Sequence, residues 1–190
     1  MDAFVIEGGR RLKGAVRVNG SKNATLPLMA AALLTDEPVT LRGVPDLSDV
    51  ANMAKLLGEL GVKVEATTGD PEAGAARTLA MRVEREDHCE ARYDIVRTMR
   101  ASICALGPML AKRGRAEVSM PGGCAIGERP IDLHLHGMRA LGAEIELAGG
   151  NIIATARRLR GDRIFLGGPF GSTVLGTANV MSAAALAEGT

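Results

Sequence analysis

The chain repeats itself, and this repetition limits which folds it can adopt. The first copy, residues 29–66, reads MAAALLTDEPVTLRGVPDLSDVANMAKLLGELGVKVEA, and the second, residues 99–148, reads MRASICALGPMLAKRGRAEVSMPGGCAIGERPIDLHLHGMRALGAEIELA. Each copy contains, in this order, an apolar helix, a strand, a proline turn, a helix that ends at Leu-Gly and a strand in which polar and apolar residues alternate. A third copy starts in residues 172–190, where AAALAEGT matches AAALLTDE of residues 30–37. The repeat predicts an α/β fold of helix–strand–helix–strand units that is truncated in its third repeat.

The boundaries of these elements follow from periodicity and stop signals. Gly61 stands where a glycine ends a helix, directly after a helix that ends near Leu60. Proline suits the first position of a helix, so the last helix of the second copy is expected to start at Pro130. The predicted helices are Asn23–Leu34 and Pro130–Ala140, and the predicted strands are Val39–Leu41, residues 62–66, Ala116–Ser119 and Ala143–Leu147.

Composition excludes several functional classes. Aromatic residues make up 2% of the chain, which argues against a stacking platform for single-stranded nucleic acid. The net charge of +1 offers no footprint for nucleic acid or a membrane surface. No apolar run approaches the roughly 18 residues of a membrane span, and no signal peptide is recognisable. A reducing cytoplasm is the expected location, because the three cysteines lack disulfide or zinc spacing.

One of these cysteines lies in an insertion. Pro45 precedes Leu60 by 15 positions, whereas Pro121 precedes Leu141 by 20, so the second copy carries five extra residues around Cys124. Insertions on repeated scaffolds map to surface loops, often on the binding face. A thiol on a glycine-rich loop near Arg129 can donate a proton or attack a substrate. An unreactive loop cysteine is the alternative, whereas Cys104, in an apolar helix, is expected to be a packed small residue.

Polar residues at the predicted helix starts suggest an anion site. The first helix starts with Lys22 and Asn23, and the third with Ser172 and Thr173. Arg97 and Arg100 fall in the early turns of the second. Helix N-termini bind phosphate or carboxylate, and the repeat would gather these ends on one face. Simple N-capping is the alternative for the serine, threonine and asparagine residues.

Arg129 and Asp132 flank a fourth helix start. Arginine can hold a phosphate or carboxylate through two parallel hydrogen bonds, and an aspartate favours the first turn of a helix. A plain capped surface helix is the alternative here. His134 and His136 are two positions apart, which is poor spacing for joint metal binding, so no metal site is expected.

Four segments together carry a family resemblance. GSKNATLPLMAAALL, YDIVRTMRASICALGP, PGGCAIGERPIDLHL and AAALAEGT resemble, in order along the chain, the bacterial UDP-N-acetylglucosamine enolpyruvyl transferases, or UDP-N-acetylglucosamine 1-carboxyvinyltransferases. The chain corresponds to the N-terminal part of that family. The cysteine-loop motif is highly specific, and the related 5-enolpyruvylshikimate-3-phosphate synthases lack it.

The resemblance implies an inside-out α/β barrel, the enolpyruvyl transferase fold, with two domains of three repeats each. It implies a cytoplasmic enzyme of peptidoglycan synthesis that acts without a metal or organic cofactor. The enolpyruvyl group of phosphoenolpyruvate moves to the 3-hydroxyl of UDP-N-acetylglucosamine by addition and elimination, and phosphate is released. Residues 22–190 would form an incomplete first domain, and residues 1–21 would belong to a second domain that is missing here. The chain alone is therefore expected to be inactive or nearly so.

The resemblance also implies roles for single residues. Cys124 would protonate the methylene carbon, can form a covalent adduct and would be the thiol alkylated by fosfomycin. Lys22 would hold phosphoenolpyruvate beside Asn23, and Arg100 and Arg129 would face the phosphate and the nucleotide. The remaining contacts fall in two segments: Pro130, Ile131, Asp132 and Leu133 at the uridine, and Gly171, Ser172, Thr173 and Val174 at the diphosphate.

Other readings remain open from the sequence. A shikimate-type enolpyruvyl transferase would accept shikimate 3-phosphate. A half-length binding module would bind the UDP-sugar weakly and release no phosphate. A scaffold fragment would self-associate through an exposed face and bind no ligand.

Overall fold

The computed structural model describes residues 3–16, 18, 20–67, 77–121, 130–169 and 171–190. The helices are α1 (Lys22–Ala31), α2 (Ser48–Glu59), α3 (Tyr93–Val96), α4 (Leu106–Arg113), α5 (Asp132–Ala140) and α6 (Val174–Ala184). Short 3₁₀ segments cover Ala32–Leu34 and Arg100–Ala105. The strands are β1 (Val39–Val44), β2 (Val62–Thr67), β3 (Arg77–Val83), β4 (Glu90–Ala91), β5 (Arg115–Ser119), β6 (Glu144–Ala148), β7 (Asn151–Thr155), β8 (Gly167–Gly168) and β9 (Gly171–Ser172).

The repeated unit of helix, strand, helix and strand is confirmed, and each unit carries one further strand. The sheets run in the orders β1-β3-β2 and β4-β5-β7-β6. The added strands β3 and β7 each lie between the two expected strands of their unit and pair antiparallel with both. In the second unit, the turn before β7 is made by Gly149 and Gly150, whose φ angles of +58° and +81° suit a tight hairpin.

The helices pack against one another and against one face of each sheet. α1 contacts α2 and the 3₁₀ segment Arg100–Ala105, while α6 contacts α4 and α5. Alternate strand residues such as Leu79, Met81, Val118 and Ile152 are buried, so one sheet face closes the core and the other meets solvent. None of the helices in the described ranges is long and apolar enough to cross a membrane.

Glycines end the second helix of each unit, as expected. Gly61 follows α2 with φ +83°, and Gly142 follows α5 with φ +92°, a region that other residues rarely adopt. Both helices therefore stop at the same point of the repeat. The prediction that Pro130 opens α5 is wrong by two residues. Ile131 is the N-cap, with φ −104° and ψ 8°, and the helix begins at Asp132.

The second unit does not start with one continuous helix, which corrects the placement of Arg97 and Arg100 in its early turns. Arg97 is the C-cap of α3, and Arg100 opens the 3₁₀ segment. Two neighbouring residues explain why α4 starts only afterwards. Pro108 has no amide hydrogen, and the amide of Gly107 donates to Oδ1 of Asn179 at 2.7 Å instead of to a helical carbonyl.

Candidate functional site

A cavity of about 400 Å³ opens where several helix starts meet. Its walls come from the beginning of the 3₁₀ segment, the start of α5, the β8–β9 hairpin and the start of α6. The described residues that line it are Arg100, Pro130, Asp132, Leu133, His134, Gly168, Pro169, Gly171, Ser172, Thr173, Val174 and Leu175. Its volume lies in the range of small-molecule sites.

The start of α5 borders this cavity through Pro130, Asp132, Leu133 and His134. Its N-cap is Ile131, whose side chain has no oxygen and makes no capping hydrogen bond. The first-turn amides of the helix therefore keep their capacity to donate to a ligand. Asp132 lies in the same turn, where its carboxylate interacts favourably with the helix dipole and adds a hydrogen-bond acceptor to the cavity wall.

The start of α6 is capped differently. Thr173 is the N-cap, and its hydroxyl oxygen accepts from the amide of Gly176 at 3.1 Å. The simple capping role that the sequence left open for Thr173 is therefore present. Ser172 and Val174 lie on either side of this residue and line the cavity with it.

Arg100 provides the positive charge among the described residues that line the cavity. It opens the 3₁₀ segment and is half-buried. The carbonyl of Ile103 in this segment accepts from Nδ2 of Asn179 at 3.0 Å, so α6 holds the segment in place. The starts of α5, α6 and the 3₁₀ segment thus converge on one cavity, whereas the start of α1, which was expected on the same face, is not among its described lining residues.

His134 forms a polar part of the cavity wall that the sequence analysis did not assign to the site. It lies on the inner face of α5 with 4% of its surface exposed, and its Nδ1 is 3.1 Å from Nδ2 of Asn179. Burial lowers the pKa of His134 to about 4, and the positive charge of Arg100 acts in the same direction against the weaker opposing effect of Asp132. The ring is therefore neutral near pH 7.

Three residues of the expected site are not among the described residues that line this cavity. Nζ of Lys22 is 2.7 Å from Oδ2 of Asp49 in the first turn of α2 and forms an ion pair with this carboxylate. Asn23 is exposed in the first turn of α1 and is outside the cavity lining. Ile131 is 8% exposed and packs in the core, so its contribution at the start of α5 is through its backbone.

The thiols differ in their surroundings. Cys104 is 2% exposed, and burial raises its pKa to about 12, which agrees with a packed, unreactive residue. Cys89 is half-buried. Cys124 and Arg129, the two residues on which the loop chemistry depends, lie outside the described residues.

The position of His134 in the sequence held a usable signal. It shares the inner face of α5 with the buried residues Leu135 and Met138, where the helical period calls for an apolar side chain. Asn179 breaks the pattern of α6 in the same way. Polar residues on two buried helix faces indicate a shared partner, although the period alone does not say that the partners are each other.

Comparison with known proteins connects this architecture to one family. The family model described as EPSP synthase (3-phosphoshikimate 1-carboxyvinyltransferase) matches residues 6–190. The UDP-N-acetylglucosamine 1-carboxyvinyltransferase of Akkermansia muciniphila is 50% identical over 192 aligned residues, which cover all of this chain and 43% of the relative. The protein of the same name from Anaeromyxobacter sp. (strain K) is 52% identical over 191 residues, with the same coverage. The chain thus spans less than half the length of these relatives.

Solved structures show the same fold. The enolpyruvyl transferase NikO from Streptomyces tendae superposes with a TM-score of 0.71 and 25% identity, over 96% of this chain and 40% of that protein. An EPSP synthase from Acinetobacter baumannii gives a TM-score of 0.65 at 16% identity, over 93% of this chain and 39% of its own. The expected enolpyruvyl transferase fold is therefore confirmed.

Proposed function

Since the chain belongs to the EPSP synthase (3-phosphoshikimate 1-carboxyvinyltransferase) family, we propose that it supplies the nucleotide-sugar half of a UDP-N-acetylglucosamine enolpyruvyl transferase. The observation that carries this choice of acceptor is the identity of 50% over the whole chain to relatives of that name. The solved EPSP synthase shares 16%. Shikimate 3-phosphate is accordingly the less favoured acceptor.

The residues that line the cavity suit an anionic ligand that carries a nucleobase. Arg100 and the uncapped amides of α5 can hold phosphate oxygens, since a cation and a helix N-terminus both favour negative charge. Asp132 and the backbone near Pro130 can pair with the donors and acceptors of a uracil ring. Gly171, Ser172, Thr173 and Val174 close the opposite wall, where we place the diphosphate.

The transfer itself needs residues that lie outside this cavity or outside the described ranges. We assign Cys124 as the acid that protonates the methylene carbon of phosphoenolpyruvate while the sugar hydroxyl adds to the neighbouring carbon. Loss of a proton and of phosphate from the resulting ketal then regenerates the double bond. Arg129 and Lys22 are proposed to hold the phosphate and the carboxylate, which requires Lys22 to leave Asp49.

We assign residues 1–21 to a second domain that completes the cleft. Phe4, Val5 and Ile6 are almost fully exposed on a segment without helix or strand, although a stable fold normally buries such a cluster. The aspartate base and further arginines of the reaction would come from that domain. The chain of 190 residues should then bind the acceptor and release no phosphate. We place the complete enzyme in the cytoplasm, in peptidoglycan synthesis.

Calorimetric titration of this chain with UDP-N-acetylglucosamine and with shikimate 3-phosphate tests the proposal. We expect binding of the UDP-sugar only, and a loss of about tenfold or more in affinity for Arg100→Gln, as one charge-assisted contact disappears. Arg115→Gln is the matched control, because Arg115 pairs with Glu117 on the sheet. Tighter binding of shikimate 3-phosphate would refute the acceptor assignment, and phosphate release by the chain alone would refute its expected inactivity.

The reactive thiol is tested separately. Incubation with fosfomycin, followed by peptide mass spectrometry, should locate a single adduct on Cys124 and none in Cys124→Ser. An adduct on Cys89 in preference to Cys124 would contradict the assignment of the loop cysteine. Cys104 serves as the internal reference because it is buried.

A further inference from the structure

Asn179 is a buried side chain at the junction of the inner helices, and its partners determine its orientation. It is 1% exposed. Its Oδ1 accepts from the amide of Gly107 at 2.7 Å, and its Nδ2 donates to the carbonyl of Ile103 at 3.0 Å. A backbone amide can only donate and a carbonyl can only accept, so the two ends of the Asn179 amide are fixed. Nδ2 must then also donate to Nδ1 of His134, at 3.1 Å.

This hydrogen bond selects the tautomer of His134. A neutral imidazole carries one proton, and a ring nitrogen that accepts a hydrogen bond cannot bear it. The proton of His134 is therefore on Nε2. Among the described residues, the one fully buried side-chain nitrogen or oxygen without a partner is Nε of Arg113. Nε2 of His134 has no hydrogen-bond partner among the described residues either, but it is not one of these fully buried atoms, so it borders open space. The open space beside the ring is the cavity, which His134 lines.

We propose that Asn179 is a positioning residue, which holds His134 as the Nε2–H tautomer so that this nitrogen donates to an oxygen of the ligand in the cavity. The choice of a UDP-sugar as that ligand rests on the proposed function, whereas the tautomer does not. The low pKa of His134 keeps the donor neutral above about pH 4, so it adds direction to the site without adding to the charge of Arg100. Through Ile103 and Gly107, the same asparagine fixes the segment that carries Arg100.

The tautomer can be read directly from nitrogen chemical shifts. Long-range proton–nitrogen correlation spectra of the chain distinguish a protonated from an unprotonated ring nitrogen, and His134→Gln identifies the signal among the three histidines. We expect unprotonated Nδ1 and protonated Nε2 throughout pH 5.5–8. Asn179→Asp should shift the ring towards the doubly protonated form, because a carboxylate accepts where the amide donated. An Nδ1–H tautomer or ordinary titration in the unaltered chain would overturn the proposal.

The ligand contact is tested with two substitutions that each keep one nitrogen position. The side-chain oxygen of His134→Asn can replace the acceptor Nδ1, and the amide of His134→Gln can replace the donor Nε2–H. We expect His134→Asn to bind UDP-N-acetylglucosamine about tenfold more weakly and His134→Gln to bind within about threefold of the unaltered chain. Equal losses, or the reverse order, would overturn the donor role.

The tautomer of His134 and its contact with the ligand are tested independently. If the unaltered chain shows the Nε2–H tautomer but binds no UDP-sugar, the proposed function and the ligand contact are refuted, and the positioning of His134 by Asn179 stands. Thermal unfolding of each variant checks that it is folded. Should Asn179→Asp not fold, the spectrum of the unaltered chain and the pair of His134 variants still decide the question.

Discussion

Arg113 joins the two repeated units, and replacing it with methionine should destabilise the chain by about 2–4 kcal/mol. The side chain extends from the last turn of α4 to carbonyls at the end of the first unit. Nη2 donates to Leu60 at 2.8 Å and to Arg85 at 3.3 Å, and Nη1 donates to His88. A hydrogen bond from a charged group contributes about 1.5–3 kcal/mol, and the bonds share one side chain, so their contributions do not add.

Urea unfolding and thermal unfolding, both followed by circular dichroism, measure this effect. For a chain of this length we expect the melting temperature of Arg113→Met to fall by about 5–15 °C, at roughly 2–4 °C for each kcal/mol. Arg115→Met is the matched control, because its exposed ion pair with Glu117 contributes at most about 1 kcal/mol. If both variants unfold at the same urea concentration, Arg113 does not hold the two units together.

Three further predictions concern the core and the cavity wall. Cys104, with a pKa of about 12, should react with iodoacetamide at pH 7.5 at least about a thousandfold more slowly in the folded chain than in urea, and equal rates would contradict its burial. Gly137→Ala should lower the free energy of unfolding by about 1–3 kcal/mol, because the new Cβ would lie 2.3 Å from Cγ2 of Val180. Gly58→Ala, in open space on α2, should be neutral or stabilising, and urea midpoints measure both changes. The pKa of His134 falls from 6.5 to about 4 on folding, so the unfolded chain binds more protons than the folded chain between these pH values. The contribution of the neutral ring to the free energy of unfolding is therefore fully present above about pH 6.5, and this free energy should drop by about 2 kcal/mol between pH 7 and 5. His134→Gln should reduce this pH dependence.

Periodicity predicted most of the fold because each unit buries a regular apolar face. The expected elements around Leu33, Leu60 and Val118 are present, and these side chains are buried. The strands β3 and β7 escaped prediction for a different reason. They lie after the Leu-Gly stop, in segments whose similarity between the two units is weak, and their pairing is long-range or made across a glycine turn. The local sequence pattern does not determine between which two strands a third strand will insert.

The candidate site was predictable where it depends on helix starts and not where it depends on buried polar contacts. Arg100, Asp132 and Thr173 were recognisable as polar residues at the beginning of apolar helices, and the structure brings them to one cavity. The ion pair of Lys22 with Asp49 was not recognisable, because it joins two helices of one unit across a loop. No sequence period marks the partner of a lone charge.

The two units also show how the same order of elements gives an ion pair between helices in the first unit and a cavity in the second. Residues 45–47 connect β1 to α2, whereas residues 120–131 connect β5 to α5, and α5 starts later than α2 relative to the shared Leu-Gly stop. Neither helix has a side-chain cap at its start. In the first unit, Asp49 in that first turn meets Lys22 of α1. In the second, the shorter helix begins at the cavity, where its first-turn amides and Asp132 can meet a ligand instead of a neighbouring helix.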